Sequence, residues 1–570
     1  MKRLKSELGQ QVSKRAISRN LEPHKVDLMK IVHLLLLTLL LLTGTACAED
    51  IELRFTYGSE KKEWVKVIVE AFNKAGYRTT SGKTIKVVAI PMGSGECISG
   101  LLDGTDQAHL ISPASDAFIK LGNARSVKAN GKPLIGDTRN LVLSPVVIAM
   151  WEPMAKALGW PEKELGWHDI LKVSQNPKGW AEYGFPEWGH FKFGHTHPEF
   201  SNSGLISVVA EIYAATGKQR GLTAADIASP ETATFLSNVE NSVVHYGEST
   251  GFFGSKMFER GPEYLSAAVL YENMVIESTA KKDELPFPVV AIYPKEGTFW
   301  SDHPVAIVDR PWVSAEHRRA AEAFITYMMA EPQQQKAMSF GFRPGNPAIK
   351  LTAPFDKEHG VDPLQPKTTL EVPSGELIEQ SLALWKKCKK KANIVIVLDK
   401  SGSMKADGRM NGARDGAIEM LKMLNDKDSV SILSFDDKLG WMVQNGAVAT
   451  ERAKLQQRVK ALFPGGGTAL YDATLAAHEY LQQNKQPGSI SAVVVLTDGE
   501  DTNSKTKYED LLVKIKTDYE TRDTRVFTIG YGAEAQKDKL KGISDATAAK
   551  NYIGDTKNIR QIFREISTFF

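Results

Sequence analysis

The sequence predicts an α/β protein of two successive units, and three observations carry that expectation. From about residue 49 to 350, short β-branched runs alternate with amphipathic stretches. Residues 351–373 then scatter Pro354, Pro363, Pro366 and Pro373 among charges, the composition of a connecting segment. A second α/β unit opens at Asn393 with a run of buried type, NIVIVLD, that ends in Asp399-Lys400-Ser401-Gly402-Ser403. The 570-residue length agrees, since roughly 150 residues per domain gives about three or four compact bodies.

The elements of the first unit follow in order. IELRFTYG (51–58) reads as the first strand, and the helix after it places Trp64, Val65, Ile68, Val69 and Phe72 on one face. IKVVAIPMG (85–93) and HLISPASD (109–116) each end in small or turn residues. VLSPVVIAMW (142–151) begins a second block. Ser229-Pro230-Glu231 reads as an N-cap with proline at the first helical position, opening a helix to about His245. FPVVAIYP (287–294) and HPVAIVDR (303–310) return to strand character, and residues 315–330 form a helix. Within 351–392, a helix from about Glu376 ends in the lysine run 386–391, which reads as a solvated helix end complementing the dipole.

Composition excludes several classes. Hydrophobic residues make up 42% and charged residues 24%, so disorder, collagen and coiled coil are excluded. Three cysteines exclude a disulfide framework, and a single long apolar run excludes a multi-span channel. The net charge is +3, but residues 1–30 hold eight Lys/Arg against three acids. The rest of the chain therefore carries −2, which gives no support for a nucleic-acid partner.

The run IVHLLLLTLLLLTGTA (31–46), preceded by Lys30 and followed by small residues, has the pattern of a secretory signal. The signal is expected over 1–48, with Met29 as the true start. Cleavage follows Ala46-Cys47-Ala48 or precedes a lipidated Cys47, and an uncleaved membrane anchor is the third alternative. Export to the periplasm, the cell envelope or the cell surface of a bacterium is the expectation. Cys97 and Cys388 then either pair or stay as thiols.

The second unit carries the sharper chemistry. Asp399, Ser401 and Ser403 place a carboxylate and two hydroxyls at a strand's C-terminal end, where open parallel sheets bind ligands. Thr468 follows three glycines in FPGGGTALYDA (463–473), and Asp498 ends another buried run, SAVVVLTDGED (491–501). A hard divalent ion wants about six oxygens, and carboxylates and hydroxyls from separate loops supply them. These three loops resemble the von Willebrand factor A-type domain over 393–570, with its metal-ion-dependent adhesion site. The resemblance implies a Rossmann-like, doubly wound sheet. It also implies Asp399, Ser401, Ser403, Thr468 and Asp498 as ligands of Mg2+ (or Mn2+ or Ca2+), with an open position for an acidic side chain of a partner protein. Asp472 and Asp501 lie nearby, and each reads as a solvated carboxylate, with a hydrogen-bonding role behind the ion as the alternative.

An α/β unit of about 300 residues, with strands at 142–151 and 287–310 where the chain crosses between lobes, fits a bilobal binder. It resembles, over 49–350, the periplasmic solute-binding proteins of bacterial importers, with FGHTHPEFSNSGL (193–205) similar to their ligand-binding loop and helix. Helix N-termini and small hydroxyl residues bind anions. The candidates are Ser59, Ser94, Ser115, Ser201 and Ser203, with Tyr271 closing the site. Glu60 and Glu96 sit in two of these loops and would repel an anion unless they point away, which leaves a cationic, peptide or polymeric ligand open. His190, His195 and His197 match no standard metal spacing. Nucleophile-elbow, phosphate-loop and zinc-protease motifs are lacking, so no catalysis is expected. The combined expectation is an exported binding protein joining a solute-binding unit to a metal-dependent protein-interaction unit. An importer's substrate receptor and a metal-dependent adhesion protein are the alternatives.

Overall fold

The computed structural model describes residues 50–516, 524–532 and 534–570. The segment read as a signal, with Met29 and Cys47, lies outside them. Among the described residues no helix is long and apolar enough to cross a membrane.

In the first lobe Ile51–Gly58 runs between two parallel neighbours, Ile85–Met92 and Leu110–Ser112, and Pro304–Ile307 adds antiparallel beyond the latter. The helix Lys62–Ala75 buries Trp64, Val65, Ile68, Val69 and Phe72, the face the periodicity predicts. It stops at Gly76, whose φ of +66° is the left-handed cap that glycine adopts without a Cβ penalty. Ala315–Met329 covers the same core with Phe324, which meets Phe55 and Phe72 edge-on. The second lobe is centred on Val142–Trp151. That strand pairs antiparallel with Ala267–Tyr271, Val289–Ile292, Trp300–Ser301 and Arg343–Pro344. Every residue of the strand except Leu143 is buried, as a central strand covered on both faces requires. The chain crosses between the sheets near 141 and again near 303, beside the strands where crossings are expected, and returns to the second sheet a third time at Arg343–Pro344.

The C-terminal unit is a six-stranded sheet in the order Leu439–Ala447, Ser429–Phe435, Ala392–Asp399, Ile490–Thr497, Arg525–Tyr531, Asn551–Gly554. The first strand is antiparallel and the other five are parallel. From Ala392–Asp399 the chain first builds outward to one side and then to the other. The crevice at its C-terminal end is thus the switch point of a doubly wound sheet.

The segment expected to connect the units is not loose. Phe355, Val361 and Leu370 are buried, and Thr369 bridges to Thr298. The helix Gly375–Cys388 packs on Asp116–Asn130, Asn202–Thr216 and Pro230–Glu240, with Trp385 fully buried. The charges that suggested a linker face solvent while the intervening apolar residues do the packing. The lysine run also departs from its expectation. Lys389 and Lys390 are buried, and their ammonium groups donate to the carbonyls of Phe570 and Val243. These two residues follow the helix's last turn, so they enter the joint between units instead of capping a solvated end. Pro230–Glu240 likewise ends five residues short of the expected His245, and His245 is buried with Nε2 facing the Tyr264 hydroxyl. Cys97 is buried and Cys388 half-buried, and both are free thiols.

Candidate metal centre and interlobe cleft

The strand Ala392–Asp399 delivers a buried Asp399 to the switch-point crevice. Its Oδ1 accepts from the Ser401 amide at 2.7 Å and its Oδ2 from the Thr497 hydroxyl at 2.6 Å. Ser401 and Ser403 hold their hydroxyls 2.9 Å apart, and the Ser403 hydroxyl donates to Asp498 Oδ1 at 2.7 Å. Thr468 arrives on the glycine loop. That loop is zipped to the first by Gly402 N–H to the Gly466 carbonyl and Gly465 N–H to the Lys400 carbonyl, at 3.0 and 2.7 Å. Gly466 has a φ of +84°, and a Cβ on Gly467 would lie 2.0 Å from Asn503 Oδ1, so the approach requires glycine at both. A Cβ on Gly499 would stand 3.6 Å from Ser403 Oγ and 3.9 Å from Thr468 Oγ1, so the Asp498 turn lies against both other loops.

All five expected residues therefore converge on one crevice. The set of two carboxylates and three hydroxyls, all oxygen, fits a hard divalent cation. Burial pushes the Asp399 carboxyl up to about 6 despite the Thr497 and Ser401 hydrogen bonds, with the nearby Asp498 charge adding to the rise. Two residues here were not legible in the sequence. Thr497 orients Asp399. Arg409 places Nη1 2.9 Å from Asp498 Oδ2, holding one carboxylate oxygen on a fixed positive charge. Asp472 and Asp501 depart from the solvated reading. Asp472 accepts from the amides of Lys505 and Thr506, and Asp501 from the Ser504 hydroxyl and the Tyr471 amide. Both are half-buried clamps that hold the 501–506 loop against the start of the helix Leu470–Gln483.

The solute-site candidates of the first unit also gather. Ser115 donates to Asn202 Oδ1 at 2.6 Å, and Asn202 Nδ2 donates to the Tyr271 hydroxyl and to Ser301 at 3.1 and 3.3 Å. Ser201 meets Thr250, which donates to Ser203, and Ser203 meets Thr196. Burial raises the Tyr271 phenol far above its ordinary range. Ser94 and Ser59 stand apart from this network, accepting from the amides of Ala114 and Gly251. The two lobes touch here. Gly95 N–H donates to the Phe200 carbonyl at 2.8 Å, and a Cβ on Gly95 would fall 2.1 Å from the Glu199 carbonyl oxygen.

The two acids that stood against an anion are placed differently from each other. Glu60 is buried beside Lys61 and His303, at 2.6 and 3.3 Å. Burial opposes its charge, but the Lys61 ammonium and the His303 ring outweigh that and hold the carboxyl down at about 2. Glu96 turns back to accept from the Gly93 amide at 2.8 Å. Thr250, Ser301, Lys61 and His303 were missed by the sequence reading, and Asn202 entered it only as part of the segment 193–205.

A two-lobed binding fold followed by a doubly wound domain with an oxygen-lined crevice defines a modular binding protein. Comparison with known proteins agrees. The family model described as bacterial extracellular solute-binding protein matches residues 53–343, and that for the von Willebrand factor type A domain matches 393–565. The chain belongs to the bacterial extracellular solute-binding protein family and carries a von Willebrand factor type A domain behind it. An uncharacterized protein of Mycobacterium tuberculosis is 22% identical over 481 residues, which covers 77% of this chain. This chain spans 64% of the length of that relative. Among solved structures, a periplasmic thiamin binding protein aligns with 60% of this chain and 97% of its own, at 12% identity and a TM-score of 0.43. A von Willebrand factor type A protein from Catenulispora acidiphila aligns with 32% of this chain and 42% of its own, at 24% identity and a TM-score of 0.29.

Proposed function

We propose that this is an exported, non-enzymatic binding protein whose C-terminal domain holds Mg2+ (or Mn2+ or Ca2+) and uses it to grip an acidic side chain of a partner protein. The observation that carries the reading is the convergence of Asp399, Ser401, Ser403, Thr468 and Asp498 on one crevice. A divalent ion held there by two carboxylates and three hydroxyls, five ligands of about six, keeps a coordination position for a partner carboxylate. Phe463, 76% exposed at the start of the glycine loop, offers such a partner an apolar contact. Membership of an extracellular family supports export.

The first domain takes a small polar solute between its lobes. In the closed cleft the hydroxyl and amide groups around Asn202 are uncharged, and Lys61 and Glu60 neutralise each other. This balance favours a neutral or zwitterionic solute over an oxyanion, and such a solute takes over hydrogen bonds the side chains now make to one another.

Thermal melting of the chain tests both parts, with and without Mg2+, Mn2+ or Ca2+ and against sugars, amino acids, polyamines and oxyanions. A ligand at 100 times its dissociation constant adds about 2.7 kcal/mol to the domain it binds. A metal-dependent shift lost in Asp399→Ala and a solute shift retained in it are expected. No metal response in the unsubstituted chain overturns the first part, and loss of both responses in Asp399→Ala overturns the modular reading. Solute binding that also stimulates transport by a membrane importer would favour a receptor role.

A further inference from the structure

A second cluster of ligand-type side chains lies in the second lobe, away from the C-terminal crevice. His195 follows the short strand Phe193–Gly194, Glu211 stands in the helix Asn202–Thr216, and Glu240 ends the helix Pro230–Glu240. All three are fully buried, and one donor atom from each lies within 4.8 Å of the others.

The hydrogen bonds around these groups are arranged as if to leave one atom of each free. The Tyr246 hydroxyl donates to Glu240 Oε2 at 2.6 Å, leaving Oε1 turned to His195. The Ser207 hydroxyl donates to Glu211 Oε1 at 2.9 Å, leaving Oε2 buried with no hydrogen-bond partner. His195 Nδ1 is 2.8 Å from the Thr196 carbonyl, which only accepts, so Nδ1 carries the proton. In the neutral ring Nε2 then presents a lone pair 3.1 Å from the lone pairs of Glu240 Oε1. Acceptors that face each other in a dry interior need a shared proton or a metal cation between them, and the third, unpartnered oxygen of Glu211 within reach favours the metal. An imidazole anchored to a backbone carbonyl, with carboxylates each anchored through the other oxygen, is the pattern by which proteins orient metal ligands.

We propose that His195, Glu211 and Glu240 form a buried binding site for a divalent transition-metal ion of the zinc class. The donor set decides the class. One imidazole and two carboxylates suit Zn2+, which accepts mixed nitrogen and oxygen ligands in a compact shell. Beyond these three donors Zn2+ needs one further ligand and Mg2+ three, and a site with no exposed side chain favours the smaller demand. Ligand bonds of about 2.0–2.2 Å require the donors to close by about 1 Å, within the reach of small side-chain rotations. The ion would staple two helices to the strand end. Through Tyr246, whose amide donates to the Phe569 carbonyl, it would also stiffen the face on which the C-terminal domain sits.

The test uses the full chain carrying Asp399→Ala, so that the C-terminal crevice does not contribute. Elemental analysis after mild chelation is expected to find about one zinc per chain. Addition of Co2+ to the stripped protein is expected to produce a visible absorption band that saturates at one equivalent. The near-isosteric Glu211→Gln should lose both signals while keeping the circular dichroism of the parent. Folded Asp399→Ala protein with neither retained zinc nor a cobalt band overturns the proposal, as does an ion content unchanged by Glu211→Gln. If Glu211→Gln fails to fold, the cobalt titration of the parent decides alone: a saturable band supports the site and its absence overturns it.

Discussion

Lys550 reaches both carboxylate oxygens of Glu248 at 2.8 Å, joining the C-terminal domain to the second lobe of the solute-binding domain. The Tyr552 hydroxyl donates to the same carboxylate at 3.2 Å, and Glu565 lies 4.0 Å from Lys550. Glu96, in the first turn of the first lobe's helix Ser94–Asp103, feels the charges of Glu248 and Lys550. Both lobes and the C-terminal domain therefore share one half-buried cluster of three carboxyls and a lysine.

That cluster sets a pH dependence. Burial first, and the Glu248 charge after it, pushes the carboxyls of Glu96 and Glu565 up to about 7. A carboxyl whose folded value exceeds its unfolded value of about 4.3 favours folding in its protonated form. Its contribution is complete below the unfolded value and is lost as pH rises through about 7. The melting temperature should fall as pH is raised from about 4.3 to about 7, and Glu96→Gln with Glu565→Gln should flatten that slope. A slope unaffected by the double substitution would place the titration elsewhere.

Arg409→Ala should move two quantities in opposite directions. Without added ion it leaves buried Asp498 unpaired, a loss of about 3 kcal/mol by analogy with broken buried ion pairs. The second oxygen of Asp498 is then released, so affinity for Mn2+ should rise by about tenfold, equivalent to about 1.4 kcal/mol. Calorimetric titration beside denaturant unfolding reads both. A fall in affinity would mean that Arg409 supports the ion site instead of competing with it.

Gly95→Ala tests the closed cleft. The added methyl carbon would lie 2.1 Å from the Glu199 carbonyl oxygen, closer than real Cβ contacts allow, and the obstruction is backbone. The lobes should stand further apart, read as a larger radius of gyration by small-angle scattering and weaker binding of any solute found by the melting screen. An unchanged radius with unchanged binding would show that the loop yields locally.

Trp385→Ala removes the ring that packs against His197 and Tyr246 at the seam between domains. A loss of about 3–5 kcal/mol in urea unfolding is expected for a fully buried aromatic. If residues 351–392 were a passive tether, the substitution would be close to neutral.

Much of this protein was written locally. Strand runs such as 51–58 and 142–151, the apolar face from Trp64 to Phe72, and the three loops of the C-terminal crevice are legible because period and turn chemistry act over a few residues. The sequence alone pointed to the order of the two domains, the five oxygen-bearing residues of the crevice and most of the hydroxyls around Asn202. Tertiary structure decided what depends on residues far apart in the chain. Arg409 meets Asp498 across 89 positions, Lys550 meets Glu248 across 302, and Lys389, Lys390 and the apolar residues Phe355, Val361 and Leu370 became part of the packed body. His195 shows the division most plainly. Its neighbours in sequence fit no metal pattern, and its carboxylate partners come from two helices that only the folded lobe brings within reach. Burial is the physical reason: it turns a charge or a lone pair into a demand for a partner, and only the completed fold selects which one.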